Sequence, residues 1–496
     1  MSRMIQQGKI KEIFILKWKE LTKRIPQLDA PFVPENLDIK GFTDRSDEVE
    51  KGFVFVAIEG FIVDGHEYIR EAVSKGASVI IGEQEVQCFD VPYIKVENSR
   101  KTLGELAAGF YGYPAENKMV IGVTGTNGKT TTGLFLRHLF KKLGYSVSFF
   151  GTVFNEMNGE RTESSLTTPS ASMIQKALAE STDEVVVIEV SSQGLAQHRM
   201  EGMAFDYALF TNLQHDHLDY HHSMEEYFFA KKKLFSLLKL TGKAVVNEDS
   251  EWGQRLSRLL KEEGKTVITV GETDQSTRYY LEGSSQGTCV MNDHLYKFTL
   301  PLPGKYNLAN LSLALTVLND LDHELTDISK LMSDLDPIPG RFEVYALSDE
   351  VYGIIDYAHT AEALQALLPT IKEMYSHYQL VHVFGFRGNR DSTKRNKMVD
   401  ISAQYSDETI LTLDDLNGVS ILEMEKEYSA QQKRKPLNEV KIVLDRTQAI
   451  IDAVKEAAVP TLIVVTGKGH ETYKQKFDLS STSDKETFQL INEKKQ

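Results

Sequence analysis

The run GVTGTNGKTTT at Gly122–Thr132 has the residue types and spacing of a phosphate-binding loop. Met119–Val123 before it is apolar and strand-like, and Leu134–Leu143 after it is helix-like. Strand, glycine loop and helix make a phosphate cradle, because glycines let the backbone approach the oxygens and successive N–H groups point inward. On this reading Gly125, Thr126, Asn127, Gly128, Lys129, Thr130 and Thr131 hold a nucleotide's phosphates. Lys129 reaches the terminal phosphates and the Thr130 hydroxyl meets Mg²⁺. The general pattern G-x-x-x-x-G-K-[ST] is met except at its first position, which holds Val123. A plain turn between strand and helix is the competing reading, and the Lys-Thr pair at the helix start argues against it.

Two further strand ends carry chemistry. Glu189 closes the very apolar run VVVIEV, where a carboxylate can bind Mg²⁺ directly or through water; a solvated strand end would look the same. The stretch TNLQHDHLDYHHSMEEYFFAKKKLF packs histidines and aspartates just after a strand. Its HxH and DxH spacing is compatible with a transition metal, but no thiolate is near and a phosphate loop calls for Mg²⁺, so hard oxygen ligands are favoured. Most of these histidines then orient neighbours or face solvent. The Lys231–Lys233 run reads, by itself, as a solvated helix face.

The elements that must position these residues form an α/β chain. Its 496 residues suggest about three domains. At 41% hydrophobic and 26% charged it is an ordinary globular composition. A net charge of −15 disfavours nucleic acid and anionic membranes as partners. Cys88 and Cys289 offer neither a disulfide framework nor a zinc site. The first residues lack the apolar run of a signal peptide, and no segment approaches the ~20 apolar residues of a membrane span, so a cytoplasmic protein is expected. Three blocks are expected: a small α/β domain at 1–98, a central doubly wound phosphate-loop domain at 99–337, and a Rossmann-like domain at 338–496. DPIPGR at Asp336–Arg341 reads as the last linker. In the third block the strand ends FGFRGNRD, TLDDLN and TGKGHE are polar and glycine-rich, and ligands of such sheets bind at those ends.

With this layout the chain resembles the Mur ligase family. TGTNGKTT, TTP (Thr167–Pro169), EVSS, NLxxDHLDYH, AKxxLF, LPGKxNxxN, PxxGRFE, DYAHT, GxRD and GKGHExY occur in the family's order over nearly the whole chain. The resemblance implies an enzyme of peptidoglycan precursor synthesis, and so of cell-wall biogenesis, cell shape and division. Within the family the chain looks like the ligase acting on UDP-N-acetylmuramoyl-L-alanyl-D-glutamate. ATP would phosphorylate the D-glutamate carboxylate, and the amine of an incoming amino acid would attack the acyl phosphate. The resemblance makes Thr130, Glu189, His217 and Lys231 magnesium supports, Lys231 as a carbamylated lysine. It gives the UDP-muramoyl-peptide to Ser46, Thr167, Thr168, Ser191, Gln197 and Arg199. It gives ATP to Asn307, which stacks on adenine, and to Arg341 and Asp356. The free amino acid falls to Arg390, Asp414, Asp415, Asn417, Gly467 and Glu471. No nucleic acid, no membrane insertion and a monomer are expected.

The acceptor follows from one position. Diaminopimelate-adding members carry an arginine in D-N-P-R that grips the distal carboxylate; here the stretch is Asp414-Asp415-Leu416-Asn417. Without that guanidinium, L-lysine or another basic amino acid such as L-ornithine fits better. Other departures are Thr43-Asp44-Arg45-Ser46-Asp47 where the family has T-x-D-S-R, Gln193 for a histidine, His222 for a glycine, and Phe386 and Arg387 where small residues are usual. They keep open an alternative, a divergent paralogue joining an amino acid to another carboxylate. Replacing Lys129 by alanine should lower amide formation at least about 100-fold and spare UDP-peptide binding, as read by product formation and by calorimetry. Undiminished turnover would remove the phosphate-loop assignment.

Overall fold

The computed structural model describes residues 3–6, 9–12, 15–60, 63–86, 89–273, 275–325, 327–434, 437 and 439–493. Cys88 lies outside them. By contacts the chain forms two compact units, one of residues 1–122, 145–208 and 230–242, the other of 123–144, 209–229 and 243–496.

In the first unit the strands Gly41–Thr43, Phe53–Val56, Val79–Gly82 and Tyr93–Lys95 form a parallel sheet in that order. Alternate side chains serve opposite faces, as a two-residue period requires. Val54, Val56, Val79 and Ile81 join Trp18, Leu21, Leu106 and Phe110. Phe55 and Ile80 join Ile69 and Ala72 on the other side. Further on, Val147–Phe150 pairs in parallel with Val185–Glu189 and antiparallel with Phe154–Met157. Every residue of Val185–Glu189 is buried, as its unbroken β-branched run leads one to expect. The strand Glu160–Glu163 beyond them is exposed and charged, which discourages further pairing.

In the second unit the helix Lys129–Lys142 packs on the helix Lys305–Asp320. It begins five residues before the apolar stretch that announced it. Lys129 and the threonines 130–132 make its first turn behind Gly128, whose φ is +88°. Threonines are mediocre helix formers, so packing and not propensity sets this start. After Asn247 the strand Thr266–Gly271 pairs in parallel with its neighbours, and Thr277–Glu282, Gln286–Met291 and His294–Thr299 then pair antiparallel in turn.

The last part of this unit is a six-stranded sheet in the order Glu343–Ala346, Val351–Asp356, Thr461–Thr466, Gln379–Phe384, Glu408–Leu411, Val440–Ile442. All pairs are parallel except the first. Ala361–Met374, Arg395–Tyr405 and Ile421–Lys433 cover one face, and Arg446–Glu456 and Asp484–Glu493 the other. This is the doubly wound arrangement read from the strand–helix alternation, with three helices (395–405, 421–433 and 484–493) that the reading did not place.

A polar pin crosses this sheet. His382 is buried, with Nδ1 2.7 Å from the Ser402 hydroxyl and Nε2 2.9 Å from that of Thr466. Burial, and then the nearby Arg446 charge, press its pKa from 6.5 to about 3. A base held neutral when folded binds a proton more readily when unfolded, so its contribution is complete above pH 6.5 and is lost as pH falls toward 3. Between pH 7.5 and 5.5 that loss amounts to about 1 kcal/mol. Urea unfolding of wild type and His382→Gln at both pH values should show the variant losing less stability by about that amount. Equal losses would refute the neutral buried imidazole.

Candidate active site

The phosphate loop is built on residues that leave no room for side chains. A Cβ on Gly125, whose φ is +154°, would lie 1.8 Å from Thr211 Oγ1, and one on Gly128 would lie 2.3 Å from Asn310 Oδ1. The loop is laced to the strand end that follows it in the chain. Thr126 N donates to Asn212 O at 3.0 Å and Asn127 N to Asn212 Oδ1 at 3.0 Å. Thr211 Oγ1 donates to Asn127 O at 2.6 Å, and Gln214 N to Thr126 Oγ1 at 2.9 Å. Lys129 Nζ donates to the carbonyls of Gly125 and Thr126, both at 2.8 Å. Its ammonium thus stands over the loop, at the helix N-terminus where phosphates bind. The cradle, the lysine and the Thr130 hydroxyl beside it fit a nucleotide triphosphate with a hard cation.

Asp216 is the polar centre beside this loop. Its buried carboxylate receives Lys394 Nζ at 2.8 Å and lies 3.4 Å from His359 Nε2 and 3.5 Å from His217 Nε2. Burial works to raise its pKa, but the His359 hydrogen bond and the charges of His217, His359 and Lys394 outweigh this and hold it well below the usual carboxylate range. His217 is half-exposed and has φ +55° at the start of the short helix Leu218–His221. The other histidines have their own neighbours: His215 Nε2 meets Asp391 Oδ2 at 2.6 Å, and His221 stacks on Tyr227. Arg341 Nη2 reaches Thr130 Oγ1 at 3.5 Å, with its guanidinium over the Tyr357 ring. Asp356 accepts from the backbone N–H groups of Phe342 and Ala358, which fixes the chain beside Arg341. Asn307 is buried and its amide donates to Pro303 O at 2.8 Å.

The first unit gathers a second set. Glu189, fully buried, accepts from Thr152 N at 2.9 Å and Thr152 Oγ1 at 3.0 Å. It is therefore no solvated strand end. Thr152 Oγ1 also reaches Thr167 Oγ1 at 3.2 Å. The Thr168 hydroxyl lies 3.0 Å from both Glu189 O and Ser191 Oγ. Arg199 donates to Thr168 O at 2.9 Å and forks onto Gln197 Oε1 at 2.6 and 3.2 Å. Thr167, Thr168, Glu189, Ser191, Gln197 and Arg199, scattered over 33 positions, thus share one hydrogen-bonded chain. Ser46 stands apart from it, donating to Glu71 at 2.8 Å. Lys231 is only 1% exposed, so the bland reading of Lys231–Lys233 as a solvated face fails at its first residue.

The acceptor positions lie on three strand-end loops of the six-stranded sheet, of which those after Phe384 and Leu411 hold each other. Gly388 N donates to Asp415 O at 2.8 Å, Asn417 Nδ2 to Gly388 O at 3.1 Å, and Asn389 Nδ2 to Asn417 O at 2.7 Å. Arg387 donates to Gly467 O at 3.1 Å and pairs with Glu471, whose other oxygen accepts from Tyr357 OH. Buried Lys468 bridges Asp415 at 2.7 Å and Asp414 at 3.5 Å. Burial would raise the Asp414 pKa, but the charges of Arg387 and Lys468 hold it down. Arg390 meets Asp219 Oδ2 at 3.0 Å.

Tyr357, Lys394, Lys468, Asn212 and Asp216 escaped the residue-by-residue reading of the sequence. Tyr357 and Lys468 lie inside the motifs DYAHT and GKGHE, where they were legible as neighbours of named residues. Lys394 lies just outside the GxRD motif, three residues beyond Asp391, and its reach to Asp216 is what reveals it.

Three family models match the chain: "Mur ligase family, catalytic domain" over residues 38–111, "Mur ligase middle domain" over 123–318 and "Mur ligase, glutamate ligase domain" over 340–469. A UDP-N-acetylmuramoyl-L-alanyl-D-glutamate--2,6-diaminopimelate ligase of Prochlorococcus marinus is 35% identical over 481 residues, covering 92% of this chain and 93% of the relative. One of the same name from Aquifex aeolicus is 36% identical over 457 residues, covering 90% and 92%. Among solved structures, a ligase of that name superposes with a TM-score of 0.69 at 24% identity, covering 97% of this chain and 99% of the other. MurF ligase from Thermotoga maritima in complex with ADP gives 0.61 at 23% identity, covering 86% and 93%. Both confirm the fold. On these matches the chain belongs to the Mur ligase family, whose members are ATP-dependent amide ligases.

Proposed function

We propose that this ligase adds an amino acid to the D-glutamate carboxylate of UDP-N-acetylmuramoyl-L-alanyl-D-glutamate through an acyl phosphate, and that the acceptor is L-lysine or another basic amino acid such as L-ornithine. The observation that carries the reaction is the phosphate loop, with Lys129 placed over the Gly125 and Thr126 carbonyls. Relatives named for the same UDP-dipeptide match over nine-tenths of the chain and support that substrate. Phosphoryl transfer needs positioning and charge neutralisation more than covalent help. Lys129 supplies positive charge at the transferred phosphate, and Arg341 adds to it from beside Thr130. Magnesium, when bound, would neutralise phosphate oxygens. Taken one at a time, the Thr130 hydroxyl, the buried Glu189 carboxylate and the His217 imidazole suit that role. Lys231, buried in the first unit, suits it as a carbamate, whose carboxylate-like oxygens can bind a hard cation. Thr167, Thr168, Ser191, Gln197 and Arg199 would hold the UDP-muramoyl-peptide.

The relatives are named for 2,6-diaminopimelate, and the reading for a basic acceptor rests on Asn417 standing where the D-N-P-R pattern of diaminopimelate-adding members has arginine. An amide there offers no cation for a distal carboxylate. Arg387 brings a guanidinium nearby, but its charge is committed to Glu471. Ser46, turned onto Glu71, supports the alternative of a paralogue that acts on another carboxylate. Phosphate release should be measured with the UDP-dipeptide, Mg-ATP and single amino acids. Lysine or ornithine should exceed meso-diaminopimelate by about ten-fold or more in kcat/KM. Preference for diaminopimelate would overturn the acceptor assignment, and silence with every amino acid would favour the other carboxylate.

A further inference from the structure

Three carboxylates crowd the loops assigned to the acceptor. Glu471 is paired with Arg387, and Asp414 and Asp415 share the enclosed Lys468. Three anions against these two cations leave one negative charge. It is met by Lys474, whose ammonium lies 3.0 Å from Asp415 Oδ2 and 3.4 Å from Asn417 Oδ1. The partners differ sharply in setting: the Asp415 side chain is 4% exposed, that of Lys474 67%. A carboxylate so enclosed is costly to leave uncompensated, whereas an exposed lysine on a flexible stem is held weakly.

We propose that Lys474 is a stand-in for the acceptor's side-chain ammonium, seated on Asp415 and Asn417 until the substrate displaces it. This rests on the acceptor reading above and adds a selector to it. A basic amino acid exchanges one ammonium for another on the same two oxygens, so the Asp415 charge stays paired throughout. An acceptor without a side-chain ammonium that pushes Lys474 aside leaves Asp414 and Asp415 to share Lys468 alone and is disfavoured. Asn417 contributes an acceptor oxygen to the seat, where a cationic residue would repel the ammonium.

The test compares wild type, Lys474→Met and Lys474→Arg. Methionine keeps the length of the stem and loses the charge. In Lys474→Met the KM for L-lysine or L-ornithine should fall about two- to five-fold, the scale of an exposed ion pair, while the KM for Mg-ATP does not move. Lys474→Arg should restore the wild-type KM, which a loss of packing alone would not explain. Calorimetry of L-lysine binding to the UDP-dipeptide-loaded proteins should give the same ratio without turnover. A KM that rises in Lys474→Met makes Lys474 a binding group and overturns the proposal, as does an unchanged KM or L-lysine that binds neither protein. A wild type that binds L-lysine yet turns over only with other amino acids refutes the acceptor reading separately, and the calorimetric ratio still decides displacement.

Discussion

One buried carboxylate holds the second unit's chemistry in place. Asp216 carries its charge out of water because Lys394, His359 and His217 converge on it. Two of these, Lys394 and His359, come from the six-stranded part of the chain, and the third, His217, heads the short helix Leu218–His221. The segment bearing Asp216 also carries Asn212 and Gln214, which fasten Thr126 and Asn127 of the phosphate loop. Remove the carboxylate, and the Lys394 ammonium loses its anion while His359 and His217 lose the group they face. The cost of an unpaired buried charge, several kcal/mol, makes this arrangement nearly all-or-none.

The loop itself works by exclusion. Gly125 and Gly128, both at positive φ, abut the side chains of Thr211 and Asn310 so closely that a Cβ at either would force those side chains to shift. What would fill the space is backbone and phosphate, and Lys129 already leans over it. Asp356 acts in the same spirit at one remove: its oxygens bind two backbone N–H groups and so set the chain from which Arg341 reaches Thr130.

What the sequence made legible was local. The glycine loop, the apolar strand ending in Glu189 and the strand–helix alternation each depend on residues close along the chain. The hidden parts depend on distance or on faint patterns. Ile421–Lys433 buries only Met424, Tyr428 and Gln431, a stripe too thin to stand out in ILEMEKEYSAQQK. Lys231 shares a run with two lysines that are not buried, and nothing in the letters marks the one turned inward. Acidic residues meant for a substrate's amines proved to have cations of their own, Lys468 and Arg387, which only the fold brings near. Arg390 likewise meets Asp219, 171 positions away.

The strand order of the last sheet governs how the protein is made. Thr461–Thr466 lies between Val351–Asp356 and Gln379–Phe384 and pairs with both. A growing chain that has emerged through Ile442 therefore holds five of the six strands with a gap at the centre. Val351–Asp356 and Gln379–Phe384 then present unpaired edges that invite pairing with other chains. Buried Asp414, Asp415 and Arg446 wait as well, since Lys468 and Asp484 are synthesised later still. This part of the molecule can close only once Thr461–Thr466 has been made, around pairings of long sequence separation, the kind of contact that slows folding.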